Sequence, residues 1–371
     1  MGSQLDNNLL DAVSYGKINA VRELLAVGAK VTVHNNNGER PLYIASNRGD
    51  VEIVKLLLAA GAEPDILTNN FTTPLYIASQ KGFIDVVRLL LKAAAEVDKV
   101  HKKFDTTAFF IACQKGHLEI ARILLKAGAK YDVQEKIHLT RPIHIACQQG
   151  HIDIVRLLIA AGADINDGTT DGGSTPLLIS SDRGHTDVVR LLIDSGANVN
   201  KATPDTGITP LLISSDKGRV EVVRLLIAAG ADINKEDFHY GNTPIYISSK
   251  AGYVEIVRLL MAAGADINKK NKKGNLPIDV AKNNEILQLL KNTKAPLVRT
   301  NPLAGLVTTN KSTVVKNPSM GLVTQKNPLM GLVTTKEAST VVKNPLIGLV
   351  TTKEASTKIR NKSRKTRKTR K

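Results

Sequence analysis

Short blocks of apolar residues at helical spacing alternate with polar or glycine-containing stretches through the first 290 residues of the chain. One such block, Val188 to Ile193, is apolar over a wide face, as expected for a helix packed between two neighbours. A shorter block precedes it and begins at Pro176, a residue type that suits the first position of a helix. Gly184 and Gly196 follow the two blocks, where glycine commonly ends a helix. The pattern predicts pairs of short helices joined by turns.

This helix-pair pattern recurs at a fixed period. Prolines begin the predicted first helices at intervals of 33 or 34 residues, counting Ala108 in the one place where proline is missing: Pro41, Pro74, Pro142, Pro176, Pro210, Pro244 and Pro277. Glycines after these helices keep the same phase: Gly16, Gly49, Gly82, Gly116, Gly150, Gly184, Gly218 and Gly252. Such a period is typical of repeat proteins, in which each unit buries its apolar face against its neighbours. We therefore predict an all-α repeat solenoid of nine units.

Four short motifs identify the kind of repeat. They are Thr209-Pro210-Leu211, Gly150-His151, Val155 followed by Leu157-Leu158, and Gly162-Ala163-Asp164. With these motifs the unit resembles the ankyrin repeat. The resemblance implies an ankyrin-repeat array with hairpin fingers over residues 1–291, with an N-terminal cap at 5–29, seven internal repeats and a C-terminal cap at 274–290. It also implies that the fingers and first helices line a concave face, which binds a protein partner.

Two departures from the ankyrin pattern affect the expected fold. The family's histidine after Thr-Pro-Leu is kept only as His144. Other residues stand at this position in the remaining units, so the hydrogen bonds of that histidine are not expected there: Tyr43, Tyr76, Phe110, Leu178, Leu212 and Tyr246. The joint between the third and fourth units lacks three residues of the pattern. Ala94 replaces the glycine that ends a helix, Asp105 replaces the turn glycine, and Ala108 replaces the proline that begins a helix. We predict that this joint, at residues 93–108, is the softest in the array.

Two sets of side chains are candidates for contact with the partner. Bulky residues stand at the finger tips, where they either anchor a partner or fold back onto the neighbouring finger: Phe71, Phe104, Ile137-His138-Leu139 and Phe238-His239-Tyr240. Polar pairs precede the glycines that end the first helices and are expected to face the groove: Asn47-Arg48, Gln80-Lys81, Gln114-Lys115, Gln148-Gln149, Asp182-Arg183, Asp216-Lys217 and Lys250-Ala251. Because these pairs mix both charges, they argue against a nucleic-acid groove.

Three further columns of residues are expected to be structural. An arginine column has an acid three residues before each member, which predicts local ion pairs: Arg88, Arg122, Arg156, Arg190, Arg224 and Arg258. His117, His151 and His185 follow the ankyrin signature and do not suggest a metal site. Cys113 and Cys147 occupy the same small buried position. No nucleophile motif or phosphate-binding glycine loop is present, so neither an enzyme nor a cofactor is expected.

A different pattern begins near Asn292. Residues 292–357 repeat an NPxxGLVT motif four times, starting at Asn301, Asn317, Asn327 and Asn344, between polar spacers. This composition predicts disorder, and the motif is either a repeated docking motif or a spacer. Residues 358–371 hold nine Lys or Arg and no acid, including Arg364, Lys365, Arg367, Lys368, Arg370 and Lys371. Such a run predicts binding to an import receptor or to nucleic acid.

Composition changes the picture in three ways. Aromatic residues are only 4% and tryptophan is absent, so the core must be aliphatic. Two cysteines, no apolar run long enough to span a membrane and no signal-peptide pattern at the start predict an intracellular monomer in the cytoplasm or nucleus. From Lys291 onward the chain has 18 of its 51 Lys and Arg but only 2 of its 34 Asp and Glu. The last 81 residues therefore carry a net charge of +16, and the first 290 carry +1.

These features predict an intracellular adaptor whose array binds one protein and whose tail places the complex in the nucleus or on an anionic partner. The alternative is a nucleic-acid-associated protein in which the tail is the main binding element and the repeats recruit a partner. A further alternative is a ubiquitin-ligase substrate receptor, although no recruiting box follows the repeats.

Overall fold

The computed structural model describes residues 4–137 and 139–292. This part of the chain is helical, with short helices in antiparallel pairs. The helices are α1 Gln4–Ser14, α2 Ile18–Ala26, α3 Pro41–Arg48, α4 Val51–Ala59, α5 Pro74–Lys81, α6 Ile84–Lys92, α7 Ala108–Lys115, α8 Leu118–Lys126, α9 Pro142–Gln149, α10 Ile152–Ala160, α11 Pro176–Arg183, α12 Thr186–Asp194, α13 Pro210–Asp216, α14 Val220–Ala228, α15 Pro244–Ala251, α16 Val254–Ala262 and α17 Asn284–Lys291, with a 3-10 turn at Pro277–Val280. None of these helices combines the length and apolarity needed to cross a bilayer.

The first helix of most internal units begins as the sequence predicts. Threonine is the N-cap in five of them, and its hydroxyl accepts the backbone N–H three residues later at 3.1–3.4 Å; these residues are Thr73, Thr107, Thr175, Thr209 and Thr243. Proline follows four of the five threonines, and in the fifth Ala108 takes its place. The capping threonine therefore starts α7 even where the proline is missing.

Leucines form the centre of the core. One leucine in the second helix of each full internal unit has no exposed surface: Leu57, Leu90, Leu124, Leu158, Leu192, Leu226 and Leu260. Each second helix packs on the first helix of its own unit and on its neighbours, so the leucines belong to one continuous core. The core is aliphatic, as the low aromatic content predicts.

A column of small residues lies where neighbouring first helices pack against one another. Serine or cysteine occupies the same position in all seven full first helices, with no exposed surface: Ser46, Ser79, Cys113, Cys147, Ser181, Ser215 and Ser249. The hydroxyls of the five serines have no hydrogen-bond partner. A small side chain is needed there because the adjacent helices come close together.

The two ends of the array are closed by polar groups and shortened helices. At the N-terminal end Asp6 is buried, and its Oδ1 accepts the backbone N–H of Lys30 at 2.7 Å. At the C-terminal end the first helix is reduced to the 3-10 turn, and Asn283 caps α17 by accepting the N–H of Ile286 at 2.9 Å. Ile286 and Leu290 complete the core on that side.

Eight connecting segments, here called fingers 1 to 8, run from each second helix to the next first helix. They are residues 27–40, 60–73, 93–107, 127–141, 161–175, 195–209, 229–243 and 263–276. Asp and Asn side chains tie successive fingers together by accepting the backbone N–H of the next one, in the pairs Asp65–Glu96, Asp98–Lys130, Asn166–Asn198, Asn200–Asp232 and Asn234–Asp266, at 2.7–3.0 Å. The fingers are therefore held in register by the polar residues of the repeat.

Candidate functional site

A groove of about 490 Å³ lies between fingers 6 and 7 and the first helices α13 and α15. Leu212 and Ile247 contribute apolar surface from the helices, and the finger side is formed by His239 and Tyr240. Asp216, from the predicted polar pair of α13, also lines it. The structure thus brings predicted finger-tip and first-helix residues together on one surface, with apolar walls and a few polar groups, as protein and peptide sites commonly have.

The polar pairs at the ends of the first helices differ in how they are satisfied. Asp216 lies 3.1 Å from the ammonium of Lys217, and this contact raises the pKa of Lys217. Asp182 and Arg183 are a looser pair at 3.8 Å. Lys81, Lys115 and Gln149 are exposed, Gln80, Gln114 and Gln148 are half-buried, and none of the lysines among them has a carboxylate within 4.0 Å in the described chain. The pairs Gln80-Lys81, Gln114-Lys115 and Gln148-Gln149 therefore leave more polar capacity for a partner, whereas Arg48 in the first of the pairs lies 2.6 Å from Asp50.

The three histidines 34 residues apart have a structural role. Nε2 of His117 donates to the backbone oxygen of Gln80 at 3.1 Å, in the preceding repeat. His151 and His185 make the same bond, at the same distance, to the oxygens of Gln114 and Gln148. Arg219 replaces the imidazole in the next unit, with Nε 3.1 Å from the oxygen of Asp182. Each side chain satisfies a carbonyl at the end of the preceding first helix.

The histidine of the Thr-Pro-Leu motif and one of its tyrosine replacements link a first helix to the next finger in different ways. His144 Nδ1 accepts the N–H of Arg141 at 3.1 Å, and Nε2 donates to the oxygen of Asp167 at 3.0 Å. Burial lowers the pKa of His144, which favours this neutral form. In the third unit Thr106 and the hydroxyl of Tyr76 are 3.3 Å apart, so a tyrosine–threonine bond replaces the link.

Five of the predicted finger-tip side chains are exposed in the described residues: His239, and by 42% Phe71, 54% Ile137, 47% Phe238 and 56% Tyr240. Phe238 also packs over finger 6, since a Cβ on Gly207 would lie 2.5 Å from its ring. Phe104 is half-buried and stacks on His101 of its own finger, with 4.7 Å between ring centroids. His138 lies outside the described residues. The tips therefore carry both exposed side chains and side chains that pack back onto a finger.

Sequence reasoning missed part of the finger-tip chemistry. Phe71 and Leu139 have positive φ angles of 60° and 51°, like Asp105 at 52°, at the turn position where the other fingers have glycine. Counting 33 residues forward from Gly38 and 34 residues back from Gly173 would have revealed both. The lysine–aromatic contacts of Lys102 with Phe71 and of Lys273 with Tyr240, at 5.9 and 5.8 Å, join different fingers. Only the tertiary structure places these pairs together.

The arginine column is paired less regularly than expected. Arg88 and Arg224 bind the acid three residues before them, and both also reach a glutamate of the next unit. Arg258 pairs with Glu285 instead, at 2.6 Å. The expectation of a local ion pair at every position is wrong for the middle of the array, because no carboxylate lies within 4.0 Å of Arg122, Arg156 or Arg190 in the part of the chain that the structure describes.

The two cysteines lie in the core. Cys113 and Cys147 are free thiols with no exposed surface, and burial raises the pKa of each well above its usual range. They are therefore unreactive while the helices around them stay packed. The predicted binding residues of the tail, Arg364, Lys365, Arg367, Lys368, Arg370 and Lys371, lie outside the described residues.

Comparison with known families agrees with this architecture. A family model described as ankyrin repeats (3 copies) matches residues 9–101, 95–169 and 166–237, and one described as ankyrin repeats (many copies) matches residues 239–281. No curated protein matches the chain. Ankyrin repeats are a protein–protein interaction module. With its repeats, capped helices and fingers accounted for, and most of its length matched, the chain belongs to the ankyrin-repeat family.

Proposed function

We propose that the chain is an adaptor that binds a partner protein on the surface formed by its fingers and first helices, and that its basic tail directs the complex to an import receptor or an anionic partner. The groove between fingers 6 and 7 carries the first part of this proposal. It combines exposed aromatic surface at Tyr240 with apolar helix residues and with the charged groups Asp216 and Lys250. Aromatic anchors beside a polar rim are the usual composition of a protein-binding site.

The charge distribution of the sequence supports the second part. Residues 358–371 carry nine positive charges and no acid, whereas the first 290 residues are close to neutral. A nucleic-acid-associated protein that binds mainly through this tail is the second candidate, because the same run neutralises phosphates. In both candidates the array recruits a protein and the tail supplies the location.

Photocrosslinking tests the binding surface directly. p-Benzoylphenylalanine at position 240 places a crosslinker in the groove, and the same group at position 126, an exposed lysine on the second helix α8, is the matched control. We expect a discrete protein adduct from position 240 in cells and none from position 126. Equal adducts at both positions, or none at position 240, would argue against the groove.

Truncation of the groove aromatic should separate binding from stability. Tyr240→Ala removes a side chain that is 56% exposed, so we expect a loss of about 1–3 kcal/mol in affinity for the crosslinked partner and little change in thermal stability. Leu158→Ala is the contrasting variant, because Leu158 is fully buried and its truncation should cost about 2–5 kcal/mol of folding free energy. Calorimetry and a binding titration on the same preparations check both.

A further inference from the structure

Three successive fingers hold a non-glycine residue in a left-handed turn. Phe71 in finger 2, Asp105 in finger 3 and Leu139 in finger 4 have φ angles of 60°, 52° and 51°. Five other fingers have glycine at this position, namely Gly38, Gly173, Gly207, Gly241 and Gly274. A bulky residue in this conformation is strained. Strain of this kind is retained where the surroundings or a function require the side chain.

Phe71 gains little from the fold in return for this strain. Its side chain is 42% exposed, so burial does not explain its presence at the turn. The ammonium of Lys102 lies 5.9 Å from the centroid of its ring. A cation–π contact at an exposed site is weak. The fold alone would be served at least as well by glycine.

Apolar and basic side chains at the tips of the adjacent fingers 2, 3 and 4 are here called the basic tip: Phe71, Val100, Lys102, Lys103, Lys136 and Ile137. Lys102 contacts the ring of Phe71, and the N–H of Lys136 donates to the oxygen of Phe104 at 2.8 Å, so the three tips are neighbours. Val100 and Ile137 are 39% and 54% exposed. The three lysines are exposed, and none has a carboxylate within 4.0 Å in the described residues. The nearby Lys99 differs, because it pairs with Glu96 at 2.9 Å.

Negative charge near the basic tip is limited and partly engaged. Asp105 is half-buried in the finger 3 turn. Glu135 is buried, and its carboxylate accepts the N–H of Ile137 at 2.8 Å, inside finger 4. The exposed lysines of the tip are therefore not neutralised by their own fingers. They are available to a negatively charged partner.

We propose that the basic tip is the docking site for an acidic segment of another protein that carries bulky apolar side chains. This inference rests on the proposed function of the array as a protein-binding module, and names a second contact region and its partner chemistry. The chain's own tail is repelled, because residues 358–371 are basic throughout. A nucleic acid would match the charge and could stack on Phe71, but the exposed aliphatic surface of Val100 and Ile137 suits the apolar side chains of a peptide rather than bases.

If the proposal is right, the variant Phe71→Gly weakens binding without lowering the stability of the fold. The test uses the full chain and a fluorescein-labelled synthetic peptide in which Glu alternates with Leu and Phe, at about 0.15 M salt. We expect an unchanged or higher thermal unfolding midpoint, since glycine relieves the turn, together with a roughly tenfold loss of peptide affinity. A fall in the unfolding midpoint would mean that Phe71 supports the fold and would overturn the proposal.

Charge removal on two faces gives the matched control. The double variant Lys102→Gln, Lys103→Gln removes two charges from the basic tip, and Lys92→Gln, Lys126→Gln removes two from exposed positions on α6 and α8. The tail is identical in both proteins. We expect a roughly tenfold loss for the first and less than about twofold for the second. Equal losses would reduce the effect to general charge attraction and overturn the site.

Two comparisons separate this proposal from its alternatives. The first comparison measures the affinity for single-stranded oligothymidine in the same variants. If substitution of Phe71 or Lys102 weakens oligothymidine binding but not acidic-peptide binding, the tip is a nucleic-acid site and the proposal is overturned. Tyr240→Ala tests the groove and should leave peptide affinity unchanged. Loss of the crosslinked partner in Tyr240→Ala with an unaffected tip supports both sites. If only the groove experiments fail, the groove is not the partner-binding site, and the peptide measurements still decide whether the tip binds an acidic segment.

Discussion

At the scale of single residues, the array tolerates polar groups that the fold does not satisfy. The hydroxyls of Ser181 and of four serines at the equivalent position are buried without a partner, whereas the adjacent Ser180 donates to the oxygen of Pro176 at 2.9 Å. A buried hydroxyl without a hydrogen bond costs free energy. The serines are therefore there for their size, because the helices approach too closely for a larger side chain.

Removing one of these hydroxyls should stabilise the protein. We expect Ser181→Ala to raise the free energy of unfolding by about 1 kcal/mol, because it removes an unsatisfied polar atom and improves helix propensity. Ser180→Ala is the matched control on the same helix and should be close to neutral or slightly destabilising. Urea titration of both variants checks this, and a Ser181→Ala protein less stable than Ser180→Ala would contradict it.

His144 should make stability depend on pH. Burial lowers its pKa below the ordinary 6.5, so the unfolded chain takes up a proton before the folded chain does as pH falls. Its contribution to stability is therefore fully present above pH 6.5 and declines below it. Burial also lowers the pKa of His101, which adds to the same slope. We expect His144→Leu, a residue already used at this position as Leu178, to flatten the decline in urea titrations below pH 6.5; an unchanged slope would contradict it.

At the scale of elements, the fingers differ in how firmly they are joined. Four fingers donate a backbone N–H near the tip to the finger before them, for example from Lys136 to the oxygen of Phe104 at 2.8 Å. The equivalent N–H of Lys102 in finger 3 makes no such bond within the described chain. Finger 6 has Pro204 at this position and so has no N–H to donate, but Gly196 ends the helix before it and Pro210 begins the helix after it. Finger 3 has neither, because Ala94 and Ala108 stand at those positions.

Finger 3 should open first among the internal joints. Ala94 has a φ of 62° at the position where glycine ends the other second helices, which costs about 1 kcal/mol. Hydrogen exchange should be earliest at residues 93–108, and Ala94→Gly should delay it. Labelling of Cys113, which is buried in α7, provides a second measurement of the same opening. Uniform protection across all internal joints would contradict this prediction.

At the scale of the whole molecule, charge divides the chain into two parts. The first 290 residues carry +1 and the last 81 carry +16. Binding to nucleic acid should therefore depend on the tail, and binding to the protein partner on the array. The two activities should be separable by truncation.

Deletion of residues 358–371 tests this division. We expect the full chain to bind nucleic acid with an affinity that falls with salt at a log–log slope of about −0.7 to −0.9 per phosphate contact. The truncated chain should lose this binding and any nuclear enrichment, yet keep the crosslinked partner at position 240. Phosphorylation at Ser363, Thr366 or Thr369 should weaken the same binding, because each phosphate adds negative charge to the basic run. Equal binding by both chains, with the same salt slope, would contradict the division.

The sequence by itself determined the repeat, the helix pairs, the aliphatic core and the family. Each follows from local signals repeated in phase: the proline or threonine that starts a helix, the glycine that ends it, and the leucine fully buried in each unit. Repetition makes these signals reliable, because a signal that is weak in one unit recurs at the same position in the next unit. The departures at finger 3, which predict a weak joint, were visible for the same reason, because that unit breaks the pattern.

Only the tertiary structure decided which side chains meet across units. Residues about 34 apart become neighbours, so the bond of His117 to Gln80, the pair of Tyr76 and Thr106 and the stacking of Lys102 near Phe71 have no signal within one unit. The same packing decided that Arg258 binds Glu285 of the last unit. Side-chain partners depend on the exact rotation and spacing of adjacent units, which the period of the sequence does not specify.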